Sequence, residues 1–115
     1  MIKGIGTDIV EIARIDHKLV DRILSVPEIE KYSNFKSESR KSEFLAGRFA
    51  VKEAIYKALG HLDFSLSMTD LIILNDQYGC PYLLCDKLKN ERIKISISHE
   101  RLFAIAFCVI ENDDL

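Results

Sequence analysis

The sequence lacks the features that mark membrane, secreted or nucleic-acid-binding chains. None of its apolar runs approaches the roughly 20 residues that a membrane-spanning helix needs. Met1 leads directly into the segment 2–8 instead of a basic region followed by a long apolar run, so no secretory signal is visible. The net charge of -2 gives no bulk attraction for nucleic acid or for a membrane surface. We therefore expect a cytoplasmic protein whose charges act locally.

Two further classes of site are missing. The three cysteines, Cys80, Cys85 and Cys108, are odd in number, and no second pair of cysteine or histidine completes a zinc site with Cys80 and Cys85. Because a cytoplasmic compartment keeps thiols reduced, we predict that all three are structural thiols. The segment 4–6 (GIG) lacks the Gly-Lys-Ser/Thr that would follow in a Walker-type phosphate-binding loop.

What is present is an ordinary globular composition, with 48% hydrophobic and 30% charged residues, and a length that suits one domain over residues 1–115. A long helix over residues 40–59 is the strongest structural prediction. Ser37 or Ser39 is suited to cap its start, and Gly60 suits the left-handed position that follows a helix. Apolar and alanine residues cover most of its surface, which predicts packing on several sides: Phe44, Ala46, Ala50, Val51, Ala54, Ile55, Ala58 and Leu59.

The rest of the sequence predicts one more helix and a set of strands. A helical period of apolar residues favours a helix from 11 to about 26 that Pro27 ends or bends, and the polar segment 32–39 is typical of a loop. Strands are predicted around residues 5–10 and at 70–75, 81–85, 93–98 and 102–110, with a brief connection at 86–92. The predicted fold class is α+β, a long helix packed on a mainly antiparallel sheet.

Asp8 is a carboxylate inside an otherwise apolar strand. Burying such a charge alone is costly, so it is paired, bound to a metal or directed at solvent. The plainer alternative is an ordinary outward-facing strand residue, since charged side chains are usually exposed.

Glu53 and Lys57 lie four residues apart on the long helix and therefore share a face. An exposed pair at this spacing is commonplace and stabilises a helix by only about 0.3–0.5 kcal/mol. The helical wheel, however, puts the small residues Ala46 and Ala50 beside this pair, which predicts space for something bulky. Two carboxylates from separate elements and a nearby ammonium group suit a site for magnesium and a diphosphate.

Arg14, Lys18 and Arg22 follow one another at four-residue steps on the predicted first helix. Such a basic strip is either a solvated helix face or a docking surface for an acidic helical partner. His99 begins the turn between the last two strands, where a lone histidine is more often an ordinary surface or core residue than a ligand.

Together these segments resemble the holo-acyl-carrier-protein synthases, a family of small bacterial 4'-phosphopantetheinyl transferases. Four stretches carry the resemblance over nearly the whole chain: residues 4–12 (GIGTDIVEI) with Arg14 and Ile15; residues 44–54 (FLAGRFAVKEA) with 57–60 (KALG); Asn75 and Asp76 with Gly79 and Pro81; and residues 96–99 (SISH) with 104–106 (AIA). The second stretch is highly specific.

The resemblance implies that Asp8 and Glu53 hold Mg2+ against the diphosphate of coenzyme A. A serine of apo acyl carrier protein would attack the phosphorus that bears pantetheine and release adenosine 3',5'-bisphosphate, a step that supports fatty acid biosynthesis. Asp8, Glu53 and Lys57 would be catalytic, and either Lys57 or a metal-bound water would take the serine proton. Contacts to coenzyme A are implied at further positions: Arg48, Lys57, Gly60, Ser98 and His99, with Arg48 and His99 at its 3'-phosphate. Arg14 would contact the carrier protein. Lys18 and Arg22 extend this docking strip by their spacing alone.

The resemblance further implies a homotrimer with active sites at the subunit interfaces. The chain departs from the family pattern at Glu100, where a small hydroxyl residue is usual, and in the short connection 86–92. Two other interpretations remain: a non-catalytic binding module in which Asp8 and Glu53 form structural ion pairs, and a transferase that acts on another acceptor, such as a peptidyl carrier domain.

Overall fold

The computed structural model describes residues 1–60 and 65–112. This part of the chain contains five strands and three helices, in the following order: β1 (Ile2–Glu11), α1 (Val20–Ile23), α2 (Val26–Asn34), α3 (Glu38–Leu59), β2 (Ile72–Asn75), β3 (Pro81–Leu84), β4 (Arg92–His99) and β5 (Phe103–Glu111). Short 3-10 turns lie between them at Ile12–Arg14, His17–Leu19, Met68–Asp70 and Asp86–Leu88.

The larger sheet has the strand order β1-β5-β4, and both of its pairings are antiparallel. β2 and β3 form a separate antiparallel hairpin. The register aligns Asp8 with Ala106 and Ala106 with Ile97, so β1 and β4 are the two edges of the sheet. The predicted α+β class with a mainly antiparallel sheet is confirmed.

The long helix α3 lies on this sheet and contacts all three of its strands. Ser37 Oγ accepts a hydrogen bond from the Arg40 amide at 3.3 Å and caps the start of the helix. Gly60 ends it in the left-handed region at φ 54°, and its amide donates to the Tyr56 carbonyl at 3.1 Å. Residues around most of the helix circumference are buried, so the prediction of packing on several sides is confirmed.

The prediction of one helix over residues 11–26 is wrong. That segment forms two 3-10 turns and the short helix α1, and then α2 begins. Two local hydrogen bonds explain the interruption: Asp16 accepts from the amide two residues ahead at 2.9 Å, and Glu28 accepts from the Ser25 amide at 2.8 Å. Such bonds satisfy free amides and each starts a new helical segment. Pro27 therefore lies at the start of α2, where its missing amide costs no hydrogen bond.

Two other predictions change with this helix. The predicted loop at 32–39 is wrong in part, because α2 continues to Asn34. Arg14, Lys18 and Arg22 lie on three different elements, so their four-residue spacing does not place them on one helical face.

Two glycines of β1 let that strand lie directly on α3. A Cβ atom at Gly6 would be 2.0 Å from the Ala54 carbonyl oxygen, and one at Gly4 would be 2.2 Å from the Ala58 carbonyl oxygen. Gly4, Gly6 and Asp8 alternate onto the same, helix-facing side of β1. The close approach therefore brings Asp8 against the second half of α3.

No helix within residues 1–60 and 65–112 combines the length and apolar character that a bilayer crossing requires.

Candidate active site

Asp8, Glu53 and Lys57 meet where β1 crosses α3. Lys57 Nζ lies 3.1 Å from Asp8 Oδ1 and 3.0 Å from the Thr7 carbonyl oxygen. Burial, and then the charge of Asp8, raises the pKa of the Glu53 carboxyl above its ordinary value, while the Lys57 ammonium opposes the rise. The second carboxylate is therefore close enough to repel the first. The structure brings together all three residues that the sequence predicted for catalysis.

The second oxygen of Asp8 shows that this cluster fits a cation. Asp8 Oδ2 is buried and has no hydrogen-bond partner, which is an unfavourable state for a carboxylate oxygen. The Asp8 side chain is only 15% exposed, and the second carboxylate, that of Glu53, is partly buried beside it. A cation between the two carboxylates would satisfy the unpaired oxygen and remove the repulsion.

The donor set suits magnesium better than a metal that needs a full protein cage. Among the described residues, no group of three or more His, Cys, Asp or Glu side chains is placed to hold a metal ion. Magnesium is usually bound by one or two carboxylates and keeps waters and substrate phosphates as its other ligands.

One prediction about this site is wrong. Ala46 and Ala50 do not leave space beside Glu53 and Lys57, because both are fully buried in the core. Ala46 packs with Ile12 and Ala104. The helical wheel identified small residues correctly but could not show that the sheet covers them.

A second group of predicted residues meets in a cleft of about 590 Å³ between α3, the β2–β3 hairpin and the end of β4. Arg48 and His99 both line it. The Arg48 guanidinium is buried, donates through Nη2 to the Ile73 carbonyl at 3.1 Å and to Asn75 Oδ1 at 2.7 Å, and lies 4.3 Å from the Phe44 ring centroid. We name this surface the Arg48 cleft.

Comparison with known proteins assigns the chain to a family. A profile of the 4'-phosphopantetheinyl transferase superfamily matches residues 4–108. The chain belongs to this superfamily.

The relatives match along their full length. The chain is 45% identical over 118 residues to the holo-[acyl-carrier-protein] synthase of Staphylococcus saprophyticus, covering 96% of this chain and 99% of that protein. A crystal structure of the Bacillus anthracis synthase in complex with CoA (3',5'-ADP) aligns with a TM-score of 0.89 at 40% identity, over 98% of this chain and 99% of that one. The Helicobacter pylori synthase, solved in complex with coenzyme A, aligns with a TM-score of 0.76 at 35% identity, over 93% of this chain and 99% of that one. The chain is an enzyme of the phosphopantetheinyl transferase class.

The positions that the resemblance assigned to coenzyme A fall into separate places in this transferase. Gly60 follows Lys57 at the end of α3, on the side of the carboxylate pair. Arg48 and His99 lie in the Arg48 cleft, and Ser98 is exposed on the opposite face of β4 from His99. Asp8 and His99 lie on the two edge strands of the larger sheet, β1 and β4, with β5 between them.

Sequence reasoning missed a buried ionic cluster under the Arg48 cleft. Glu28 and Lys52 are both fully buried, and Lys52 Nζ lies 2.7 Å from Glu28 Oε1. Glu28 Oε2 also accepts from the Ile73 amide at 3.1 Å and lies 3.9 Å from Arg48 Nε. Burial lowers the pKa of Arg48, and the charge of Glu28 opposes that effect. The available signal was the four-residue step from Arg48 to Lys52 along an otherwise apolar helix face.

The remaining predicted residues are on the surface. Arg14, Lys18 and Arg22 are exposed, as is Glu100, whose side chain does not line the Arg48 cleft. All three cysteines are free thiols: Cys80 is exposed, Cys85 is half-buried, and burial raises the pKa of Cys108 to about 12. The connection after β3 contains only the turn Asp86–Leu88 and no α-helix, in agreement with the short segment predicted there.

Proposed function

We propose that this chain transfers 4'-phosphopantetheine from coenzyme A to a serine of apo acyl carrier protein and releases adenosine 3',5'-bisphosphate. The observation that carries the proposal is the unpaired buried oxygen of Asp8 beside Glu53, with Lys57 on the other Asp8 oxygen. The full-length match to proteins named holo-[acyl-carrier-protein] synthase supports the same reaction. We also propose that the enzyme acts in the cytoplasm, that it supports fatty acid biosynthesis, and that residues 1–115 form one transferase domain.

Asp8 and Glu53 would hold Mg2+, which supplies positive charge to the diphosphate and to the oxygens that gain negative charge during phosphoryl transfer. The protein fixes Asp8 through the β1 backbone and Glu53 through the rigid helix α3, so both carboxylates are oriented before substrate binds. Preorganised charges of this kind require no rearrangement at the moment of reaction.

Lys57 is assigned to the phosphates. Its Nζ donates to a carboxylate and to a backbone carbonyl, which hold the side chain beside the carboxylate pair. A lysine in this position supplies positive charge to a phosphate group, and either Lys57 or a metal-bound water would take the serine proton.

We further propose a homotrimer in which each active site uses two chains. The carboxylate pair lies at the edge strand β1 and the Arg48 cleft at the end of the other edge strand, β4, so each can face a neighbouring subunit. In the proposed trimer, one coenzyme A molecule contacts the carboxylate pair of one subunit and the Arg48 cleft of the next. The sheet face turned away from α3 supplies an apolar surface for that contact: Ile5, Ile9, Phe103 and Phe107.

Arg14, Lys18 and Arg22 are proposed to dock the carrier protein as exposed cations near the end of β1, although not as one helix face. Charge pairing at an interface steers encounter and weakens with salt. Arg14→Glu is expected to raise the carrier-protein KM several-fold with little effect on kcat. A KM that neither changes nor responds to salt would contradict this assignment.

The decisive experiment is mass spectrometry of apo acyl carrier protein after incubation with this protein, coenzyme A and magnesium. The expected product carries one added phosphopantetheine group, and chelation of magnesium abolishes its formation. Asp8→Ala and Glu53→Ala should remain folded and fail to modify the carrier protein. Full activity of both variants would remove the proposed metal site. A higher kcat/KM for a peptidyl carrier domain would change the proposed acceptor and leave the reaction in place.

A further inference from the structure

The Arg48 cleft contains a cation, Lys31, that no sequence motif singled out. Lys31, near the end of α2, lines the cleft together with Arg40, Arg48 and His99. Lys31 Nζ donates to Asn75 Oδ1 at 2.9 Å, and Arg48 Nη2 donates to the same oxygen at 2.7 Å. Two positive groups therefore converge on one neutral acceptor.

Asn75 is held so that its oxygen faces these two cations. Its Nδ2 donates to the Gly79 carbonyl oxygen at 3.0 Å, which fixes the orientation of the amide. The amide oxygen carries no net charge, so it orients Lys31 and Arg48 without neutralising either.

The carboxylates around the cleft are already engaged with other groups. Glu43 lies 3.7 Å from Arg40 Nε and 3.6 Å from His99 Nδ1. Asp76 Oδ1 accepts from the amides of Tyr78 and Cys80 at 2.8 and 2.9 Å.

Glu28 lies below the cleft, 2.7 Å from Lys52 Nζ and 3.9 Å from Arg48 Nε, so its closer ion pair is with Lys52. Within residues 1–60 and 65–112, no carboxylate lies within ion-pair distance of Lys31. The cleft lining carries three formal positive charges, on Lys31, Arg40 and Arg48, and two negative ones, on Glu43 and Asp76, so one positive charge is in excess when His99 is counted as neutral. Burial, and then the charges of Arg48 and Arg40, lowers the pKa of Lys31, in keeping with this excess.

We propose that Lys31 is an additional ligand of the 3'-phosphate of coenzyme A and determines the preference for a substrate that carries it. A phosphate monoester has close to two negative charges at neutral pH, which matches the two cations oriented by Asn75. The inference rests on the proposed function, because it takes coenzyme A as the substrate. It adds a residue from α2 to a site otherwise built from α3 and β4.

The test compares ligands that differ in the 3'-phosphate. Binding of adenosine 3',5'-bisphosphate and of AMP is measured by calorimetry on the full-length protein, for wild type and for Lys31→Met. Loss of one charged hydrogen bond should raise the Kd of the bisphosphate about tenfold, while the Kd of AMP changes less than about twofold. Lys31→Arg should restore most of the affinity, because it keeps the charge.

Lys36→Met is the matched control, since Lys36 is an exposed lysine four residues before Arg40 that does not line the cleft. It should bind both nucleotides like wild type. Steady-state assays should agree: Lys31→Met raises the KM of coenzyme A about tenfold and leaves that of 3'-dephospho-coenzyme A nearly unchanged. Thermal unfolding of each variant checks that the fold is intact.

The outcomes separate this inference from the proposed function. If Lys31→Met keeps the wild-type preference for the bisphosphate, or raises the Kd of both nucleotides equally, the role of Lys31 is refuted. The proposed transferase activity is unaffected by that result. If wild type itself shows no preference for the bisphosphate, the 3'-phosphate site as a whole is refuted. Failure of the proposed function would be seen separately, as no modification of apo carrier protein by the wild-type enzyme.

Discussion

Glu53 experiences two opposing charges at once. The neighbouring carboxylate of Asp8 and partial burial both favour its neutral form, while Lys57 favours its ionised form, and the net result is a raised pKa. A raised pKa means that the folded protein binds this proton more tightly than the unfolded chain does. Protonation of Glu53 therefore favours folding, and its ionised form opposes folding once the pH exceeds both pKa values.

The first prediction concerns Glu53→Gln at neutral pH. Because the substitution removes a charge that opposes folding, the variant should unfold at the same temperature as wild type or higher when magnesium is absent. Removing a ligand of the proposed cation should reduce transfer on the order of 100-fold or more. Circular dichroism during heating in a chelating buffer, together with the mass-spectrometric transfer assay, measures both effects.

Glu30→Gln provides the control for this prediction, since Glu30 is an exposed glutamate of α2. It should change neither property. A Glu53→Gln variant that is markedly less stable than wild type yet fully active would show that Glu53 is a structural ion-pair residue.

At the residue scale, the sequence predicted those site residues that short, local patterns contain. Glu53 and Lys57 are one helical turn apart, and the strand that carries Asp8 was predicted from its own apolar residues. Glu28 and Lys31 could not be predicted in the same way. Their roles depend on the packing of α2 against β2, which brings together groups more than 40 positions apart, and no short pattern records such a contact.

At the scale of the elements, the position of Asp8 depends on how closely β1 approaches α3. Gly6 faces backbone atoms of the helix, and backbone atoms cannot move aside as the end of a flexible side chain can. The strand must therefore shift if any side chain is added there. Such a shift moves Asp8, two residues further along the same face.

The second prediction follows for Gly6→Ala. An added Cβ would be 2.0 Å from the Ala54 carbonyl oxygen, so the free energy of unfolding should fall by about 1–3 kcal/mol or more, and transfer activity should fall with it. Gly47→Ala is the control, because its Cβ would meet only the Ile97 Cγ2 atom at 3.2 Å and alanine favours a helix. Urea unfolding monitored by circular dichroism compares the two. Equal losses for both variants would contradict the close approach of strand and helix.

The buried pair Glu28–Lys52 joins α2 to α3 and β2. Glu28 also accepts from the Ser25 and Ile73 amides, and Lys52 donates to the Ile23 carbonyl. Removal of one partner leaves a buried charge without compensation, which is far more costly than removal of both.

The third prediction is that Lys52→Met lowers the free energy of unfolding by about 3–5 kcal/mol, and that adding Glu28→Gln recovers part of this loss. The control is Lys41→Met, which removes a partly exposed pair with Glu38 at 4.0 Å and a cation–π contact 5.5 Å from the Tyr32 ring centroid, and should cost about 1 kcal/mol. Denaturant titrations at one protein concentration give all the values. If Lys52→Met costs no more than the control, the pair does not hold these elements together.

The elements themselves show what periodicity can and cannot establish. The long helix was predicted within two residues because it has a cap at Ser37, a stop at Gly60 and no competing signal between them. The apolar period from Ile12 to Val26 is equally regular, but Asp16 and Ser25 start new segments within it. Its apolar side chains then enter two different clusters, where Ile12 packs near Ala104 and Ile23 packs near Leu45. Periodicity reports burial, whereas capping decides where one helix ends and the next begins.

At the scale of the whole molecule, one face of the larger sheet is not covered by residues 1–60 or 65–112 of its own chain. α3 packs on one face, and the opposite face exposes Ile5 at 66%, Ile9 at 62% and Phe107 at 48%. Thr7 aligns with Phe107, and Ile5 and Ile9 lie two residues to either side of Thr7, so these side chains form one apolar surface. Contiguous surfaces of this kind on small proteins mark interaction sites.

The last prediction is that Phe107→Glu converts the proposed trimer into monomers and abolishes transfer. A carboxylate near the centre of an apolar interface must be desolvated without a partner, at a cost of several kcal/mol per subunit, and a site shared between chains is lost when the chains separate. Size-exclusion chromatography with light scattering should give three times the 13.2 kDa chain mass for wild type and one chain mass for the variant. Val26→Glu is the matched control, since Val26 is 80% exposed at the start of α2, away from the sheet face, and should leave mass and activity unchanged. A monomeric wild type with full activity would contradict the proposal that each active site uses two chains.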